Sequence, residues 1–250
     1  MELIIIKLLG FMLVLTRVSA FFLVAPLFGS EIIPARIRMC IIILISIFFA
    51  SVCTPGVDFS QTSELEALLL LINESIYGFA LGLISVLVYS AVKFAGLNIE
   101  REMGLTFGEV LDPITNEGAE SLSILIDMFF ILMFLSANGH HILLLIISKS
   151  YQAFPIGHVC SIPELVEGVV KAGSVMMIAG FRLAAPMIAA FLLLLVILAV
   201  FSRMMPDMDI LFISMPLRVG LGLLILGTFL PFINSFVSEF AEWMGKLLPI

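Results

Sequence analysis

The sequence has little charge for its length. Only 12% of its 250 residues are Asp, Glu, Lys or Arg, whereas soluble globular proteins average about 25%. Basic residues are the scarcer kind, with 12 Lys and Arg against 19 Asp and Glu, which gives a formal net charge of -7. This balance argues against nucleic acid as a partner, because binding to phosphates calls for a basic patch.

Residues and motifs that carry chemistry are also few. The three cysteines, Cys40, Cys53 and Cys160, form no CxxC pair, which favours idle or buried thiols over a disulfide framework or a metal site. The protease motifs HExxH, GxGD and GxSG are absent. The adjacent histidines His140 and His141 lack the i, i+3 or i+4 spacing that zinc ligands need on a helix. We therefore expect no enzymatic activity, no metal and no cofactor.

Hydrophobic residues are what the sequence has in excess, at 62% of the chain with a mean hydropathy of +1.23. A helix needs about 20 apolar residues to cross a bilayer. The apolar runs are continuous rather than alternating, which predicts helices and not the strands of a barrel. The expected fold is an all-α membrane protein, a single domain over residues 1–250 with about six helices, several of them bent where a proline lies inside the run. The predicted spans are Leu3 to Phe28, Ile37 to Val52, Leu65 to Leu97, Leu122 to Ile147, Val175 to Phe201 and Ile210 to Phe236.

The third predicted span has two properties of its own. It is longer than the roughly 20 residues that a crossing requires, so it must tilt, kink or leave the membrane. It also contains a GxxxG motif at Gly78 and Gly82, which predicts that the backbone of another helix packs closely against this face.

Ionisable residues inside the apolar runs are expensive and therefore informative. A charge at a helix centre costs about 2.5 to 3.5 kcal/mol on insertion scales. Arg17, Glu74 and Asp127 lie deepest, and we expect them to form a polar seam or to contact a partner. For the others, snorkelling at a span end and a partner contact both remain open. Those others are Lys93, Arg182 and Arg218.

The connection from Glu100 to Ser121 is longer than the 12 to 15 residues that structureless loops usually reach. It carries six acidic residues and one basic residue, interleaved with apolar side chains and three glycines. One interpretation is an ordinary solvated loop with a short amphipathic helix. The other is a segment that folds into a tight cavity and moves out again, since glycine permits conformations closed to other residues.

Seven motifs in order resemble the FliR family of flagellar export-gate subunits, which also includes the equivalent subunit of virulence-type type III secretion systems. The resemblance covers essentially the whole chain. The motifs are RVSAFFLVAPLFGSEIIPARIR (Arg17 to Arg38), GFALG in the third run, AGLNIEREMGLTFGEVLDP (Ala95 to Pro113), FLSANGHH (Phe134 to His141), AFPIG (Ala153 to Gly157), FRLAAP (Phe181 to Pro186) and SRMMPDMDILFISMPL (Ser202 to Leu217).

The resemblance implies a subunit of a protein export gate in the bacterial inner membrane. Its helices would pair as bent hairpins inside a helical hetero-oligomer, so six apolar runs need not mean six membrane crossings. The implied partners are FliP-like and FliQ-like gate subunits, FlhB-like and FlhA-like export components, unfolded secreted substrate proteins and membrane lipid. The resemblance leaves open whether the system is flagellar or virulence-type.

The resemblance also places a plug, a loop that obstructs the closed pore, at about residues 103–120. Sealing side chains would be Met103, Leu105 and Phe107, because weak apolar contacts can hold ions back and still yield to an unfolded chain. Flexibility would come from the neighbouring glycines. The six positions assigned to the plug are Met103, Gly104, Leu105, Thr106, Phe107 and Gly108.

Two alternatives belong to other functional classes. A secondary transporter or small channel fits six apolar runs with buried charges, but transporters often contain internal repeats. The Arg17 to Pro26 and Arg182 to Pro186 spacings are unequal, so no repeat is visible. An assembly factor without a pore role is the second alternative. The mass of the purified particle discriminates, because a gate subunit should be part of a large hetero-complex.

Overall fold

The computed structural model describes residues 2–29, 33–52, 63–105, 121–158, 162–205 and 210–247. Those residues form helices, with no strand among them, which confirms the all-α prediction. The helices are α1 (Glu2–Val24), α2 (Ala35–Val52), α3 (Glu64–Met103), α4 (Ser121–Ser136), α5 (Gly139–Ala153), α6 (Ile162–Met204) and α7 (Ile210–Leu247).

The span predicted from Leu122 to Ile147 is not a single helix but is broken into two helices, bent by 70° at the break. Asn138 lies between α4 and α5 with a φ of 59°, in the left-handed region. Asparagine tolerates this conformation better than most residues, and it is followed here by Gly139. The predicted span is therefore two helices of 16 and 15 residues.

Three other helices, α3, α6 and α7, continue past their predicted ends. Pro163 lies in the first turn of α6, where a missing N–H is tolerated, and Pro186 lies inside this helix without ending it. α3 extends over 40 residues and α6 over 43. Both are longer than a bilayer crossing needs.

Three helices within the described residues are long and apolar enough to cross a membrane, namely α2, α3 and α6. The number rises to four if α4 and α5 together count as one broken span. In α3, 56% of the most apolar window is buried inside the chain, against 17% in α2 and 22% in α6. The hydropathy of α3 therefore reflects burial in protein, whereas α2 and α6 expose apolar faces to their surroundings.

The chain divides into two compact units. The first unit contains Met1–Tyr89, Asn138–Ser174 and Phe240–Ile250, and the second contains Ser90–Ala137 and Val175–Glu239. Each has a buried core of aliphatic and aromatic side chains. Core residues of the first unit include Leu13, Val18, Phe21, Tyr77 and Leu81, and those of the second include Val92, Ile99, Met103, Phe130 and Met187.

Candidate functional site

The first unit contains a buried ion pair between α1 and α3. Nε of Arg17 donates a hydrogen bond to Oε2 of Glu74, and the two side chains are only 2% and 1% exposed. A hydrogen bond between two charged groups is roughly twice as strong as one between neutral groups. The structure thus brings together two of the three residues that the sequence placed deepest in its apolar runs.

Nη1 of Arg17 bonds to oxygens at the end of α5. Nη1 lies 3.1 Å from the carbonyl oxygen of Phe154, 3.3 Å from that of Ser150 and 3.4 Å from Oγ of Ser150. The last carbonyls of a helix carry partial negative charge, and that of Ser150 also accepts the N–H of Phe154 at 2.9 Å. Arg17 therefore neutralises the C-terminus of α5 as well as Glu74.

Aromatic rings and a tight turn complete this environment. The guanidinium carbon of Arg17 lies 4.6 Å from the ring centre of Tyr77 and 4.4 Å from that of Tyr151, within cation–π range. Oε1 of Glu74 accepts a hydrogen bond from the backbone N–H of Gly157 at 3.2 Å. Gly157 has a φ of 89°, which favours glycine. We call Arg17, Glu74, Tyr77, Tyr151 and Gly157 the Arg17 cluster.

The glycines of the GxxxG motif lie where α1 packs against α3. A Cβ atom at Gly78 would collide with the carbonyl oxygen of Arg17, and one at Gly82 would lie 3.0 Å from the carbonyl oxygen of Phe21. Only residues without a side chain allow the two backbones this close. This close packing of α1 against α3 also brings Arg17 within hydrogen-bonding distance of Glu74.

In the second unit, α3 ends at the first residues assigned to the plug. Met103 is 1% exposed, and its thioether lies where a Cβ atom on Gly222 of α7 would be, 2.7 Å from Sδ. Gly104 has a φ of 78° and Leu105 is 37% exposed. Met103 is thus a packed core residue. The other three plug positions, Thr106, Phe107 and Gly108, lie outside the described residues.

Glu100 ties the end of α3 to the start of α4. Its side chain is fully buried, and its carboxylate accepts hydrogen bonds from the N–H groups of Leu122 at 3.3 Å and Ser123 at 3.4 Å. A Cβ atom at Gly96 would lie 3.0 Å from Cα of Ser123, so α4 begins directly against this face. We did not predict this role from the sequence. The available signal was a glycine four residues before a glutamate on one helix face.

The other charged candidates are more accessible. Nη1 of Arg182 lies 3.2 Å from Oε2 of Glu239, and the two side chains are 71% and 35% exposed. Asp127 is half-buried in α4. Asp127 and Arg182 both belong to the second unit, whereas the residues of the Arg17 cluster belong to the first.

The described residues contain no group of three His, Cys, Asp or Glu side chains that could hold a metal ion. The second unit contains a pocket of about 310 Å³ between α6 and the start of α7. Every residue lining it is apolar, among them Leu194, Phe201 and Leu217. Such a pocket can accept an apolar group and offers no acid, base or nucleophile.

Comparison with known proteins gives matches over nearly the whole chain. A family model described as bacterial export proteins, family 1, matches residues 8–244. The flagellar biosynthetic protein FliR of Bacillus subtilis (strain 168) is 30% identical over 224 residues, covering 87% of this chain and 84% of that protein. FliR of Escherichia coli (strain K12) is 30% identical over 234 residues, covering 94% and 89%.

A third relative extends the similarity. FliR of Aquifex aeolicus (strain VF5) is 29% identical over 229 residues, covering 89% of this chain and 86% of that protein. The residues that the family model matches include all five residues of the Arg17 cluster and Glu100. The chain therefore belongs to the bacterial export protein family 1, the family of the flagellar biosynthetic protein FliR.

Proposed function

We propose that this protein is a subunit of the flagellar protein export gate in the bacterial inner membrane. The family match over residues 8–244 carries the proposal, and the three similar proteins described above are all flagellar. Their names favour a flagellar system over a virulence-type one. The apolar faces of α2 and α6 are suited to lipid or to partner helices.

The finer part of the proposal is that the chain forms part of the pore wall and a plug at about residues 103–120. The described start of this segment supports it. Gly104 ends α3 in a left-handed conformation, so the chain turns away from the helix at that residue. Leu105 is the first exposed apolar side chain after the turn. Met103 anchors the segment to the core, and the seal is made by later residues.

The mechanism is translocation without bond chemistry. Unfolded substrate proteins cross through a pore whose wall is shared with FliP-like and FliQ-like subunits, and FlhB-like and FlhA-like components deliver them. No cofactor takes part. The buried ion pair of the Arg17 cluster keeps the first unit rigid, because its donors and acceptors lie on α1, α3 and the end of α5.

The test compares two changes to the full co-expressed complex. Replacing residues 106–120 by a short Gly/Ser linker, or Leu105 and Phe107 together by Ser, should remove seal contacts and leave the described packing intact. We expect small-solute uptake to rise in cells at unchanged complex abundance. Met103→Ser is the matched control, because it removes packing against Gly222 and should lower abundance instead. A tight membrane at normal abundance after the linker replacement would place the seal in another subunit.

A further inference from the structure

The cavity between α6 and the start of α7 has a buried floor and exposed walls. Its volume is about 310 Å³, and every described residue that lines it is apolar. Leu194 and Leu198 on α6 are buried, whereas Phe201 on α6 and Ile213 on α7 are exposed. The first two form the floor, and the other two form walls that face the surroundings of the chain. An occupant can therefore enter the cavity from outside.

The length of the cavity matches one leaflet of a bilayer. Its lining extends along α6 from Leu194 to Met205, which at 1.5 Å per residue is about 16 Å, or half of the roughly 30 Å hydrocarbon core. Met205 directly follows the last turn of α6, which contains the exposed Arg203. An arginine at the end of a membrane helix lies at the level of the lipid headgroups. The cavity therefore extends from that level to about the middle of the bilayer.

The helix that carries the cavity is exposed along its apolar surface. α6 is long and apolar enough to cross a membrane, and only 22% of its most apolar window is buried inside the chain. Val196 and Val200, which are not among the residues lining the cavity, are exposed as well. Lipid tails are as apolar as these side chains, so α6 is stable in contact with lipid. The medium at the mouth of the cavity is therefore hydrocarbon and not water.

The size and chemistry of the cavity select among possible occupants. Left empty, it would cost its lining atoms their van der Waals contacts on one side. Water fills it poorly, because a buried water needs about two to four polar partners. A helix with its side chains is about 10 to 12 Å across, so a partner protein could insert only single side chains. A flexible hydrocarbon chain fits the whole length.

We propose that this cavity binds one acyl chain of a membrane phospholipid, with the chain end at Leu194 and the headgroup at the level of Arg203. The bound chain fills the space between α6 and the start of α7 and so completes the packing of the second unit. The inference requires that α6 lies in the membrane, and it is independent of the proposed plug and pore wall.

The experiment uses the full co-expressed complex in vesicles of phosphatidylethanolamine and phosphatidylglycerol. A phosphatidylcholine that carries a photoactivatable diazirine on one acyl chain is the probe, and the labelled residues are identified by mass spectrometry. A diazirine at the chain end should label Leu194 and Leu198, and one near the headgroup should label Met205. Labelling of the cavity should saturate as the fraction of probe rises, whereas labelling of Val196 and Val200 should rise in proportion to it.

Two neighbouring residues of α6 provide a matched pair of variants. Ile197 lines the cavity and Val196 does not, although both are exposed. In Ile197→Trp the indole occupies space that the chain would fill, and we expect labelling of Leu194 and Leu198 to fall about tenfold. Val196→Trp should leave it unchanged. Leu217→Trp fills the cavity from α7 and replaces the first variant if that one does not assemble.

Three results would overturn the inference. Labelling of the cavity that rises without saturating, as at Val196, would mean that lipid only surrounds the helix. Labelling of Val196 and Val200 without any in the cavity would mean that a side chain of a partner subunit fills it. An absence of labelling throughout α6 would place this helix outside the lipid. Each result is read on the unmodified complex, so the inference is tested even if no tryptophan variant assembles.

Discussion

Two ion pairs of the same chemical type lie in very different surroundings. Each joins an arginine to a glutamate 57 positions later in the chain, Arg17 to Glu74 in the first unit and Arg182 to Glu239 in the second. The first pair is almost completely buried, with further hydrogen bonds and two aromatic rings around it. In the second pair the arginine is 71% exposed.

The difference shows that burial, and not the identity of the charges, decides what an ion pair contributes. A buried pair has lost its hydration, so removing one partner leaves an uncompensated charge in a medium that cannot solvate it. An exposed pair exchanges its partner for water at little cost. The two arginines should therefore respond very differently to the same substitution.

The largest effect is expected for Arg17→Gln. The change leaves Glu74 buried without its cation and leaves the end of α5 without its donor, which should cost about 3 to 5 kcal/mol of folding free energy. We expect the assembled complex to be lost or its thermal unfolding temperature to fall sharply, as measured by fluorescence during heating in detergent.

The matched control for this prediction removes both charges. Arg17→Met combined with Glu74→Leu leaves no unpaired ion, and apolar replacements of buried pairs are often close to neutral. The double variant should recover a good part of the stability lost in Arg17→Gln. If it is as unstable as the single variant, the contribution of Arg17 comes mainly from its bonds to the α5 carbonyls.

The second largest effect is expected at Gly78, which allows the approach of α1 that brings Arg17 to Glu74. Gly78→Ala places a Cβ atom against the carbonyl oxygen of Arg17, and overpacking of this kind costs about 1 to 3 kcal/mol. Complex yield and thermal stability should both fall. Equal stability of this variant and the wild type would mean that α1 can shift away without loss.

Gly173 provides the control. It lies in α6 within the first unit, and a Cβ atom there meets no described atom within 4 Å. Because glycine inside a helix is less favourable than alanine by roughly 0.5 to 1 kcal/mol, Gly173→Ala should leave stability unchanged or raise it slightly. A loss of assembly in this variant would indicate a partner subunit packed against Gly173.

The sequence predicted the helices well and their interruptions less well. Continuous apolar runs predict helices because the backbone must satisfy its own hydrogen bonds in lipid, and the over-long third run is the 40-residue α3. The break at Asn138 was missed, because hydrophobicity does not record that one residue adopts a left-handed conformation.

For the candidate site, too, the sequence predicted individual residues better than the contacts between them. Gly78 and the deep charges Arg17 and Glu74 were visible from their spacing and depth, since each is unusual in an apolar run. Which residue pairs with which could not be predicted, because the partners are 57 or more positions apart and on different helices. Glu100 was read as one acid of a loop, and only the fold shows it inside α3 and bonded to α4.

The smallest effect is expected for Arg182→Gln. Exposed ion pairs contribute between about 0 and 1 kcal/mol and are screened by salt, so the thermal unfolding temperature of the purified complex should change little. Glu239→Gln should change it by a similar small amount, and the double variant should show weak coupling in a double-mutant cycle. A large fall in the thermal unfolding temperature from Arg182→Gln alone would contradict this prediction. Arg182 would then be buried against another subunit, which is the partner contact that the sequence left open. Both ion pairs would then be buried in the assembled complex.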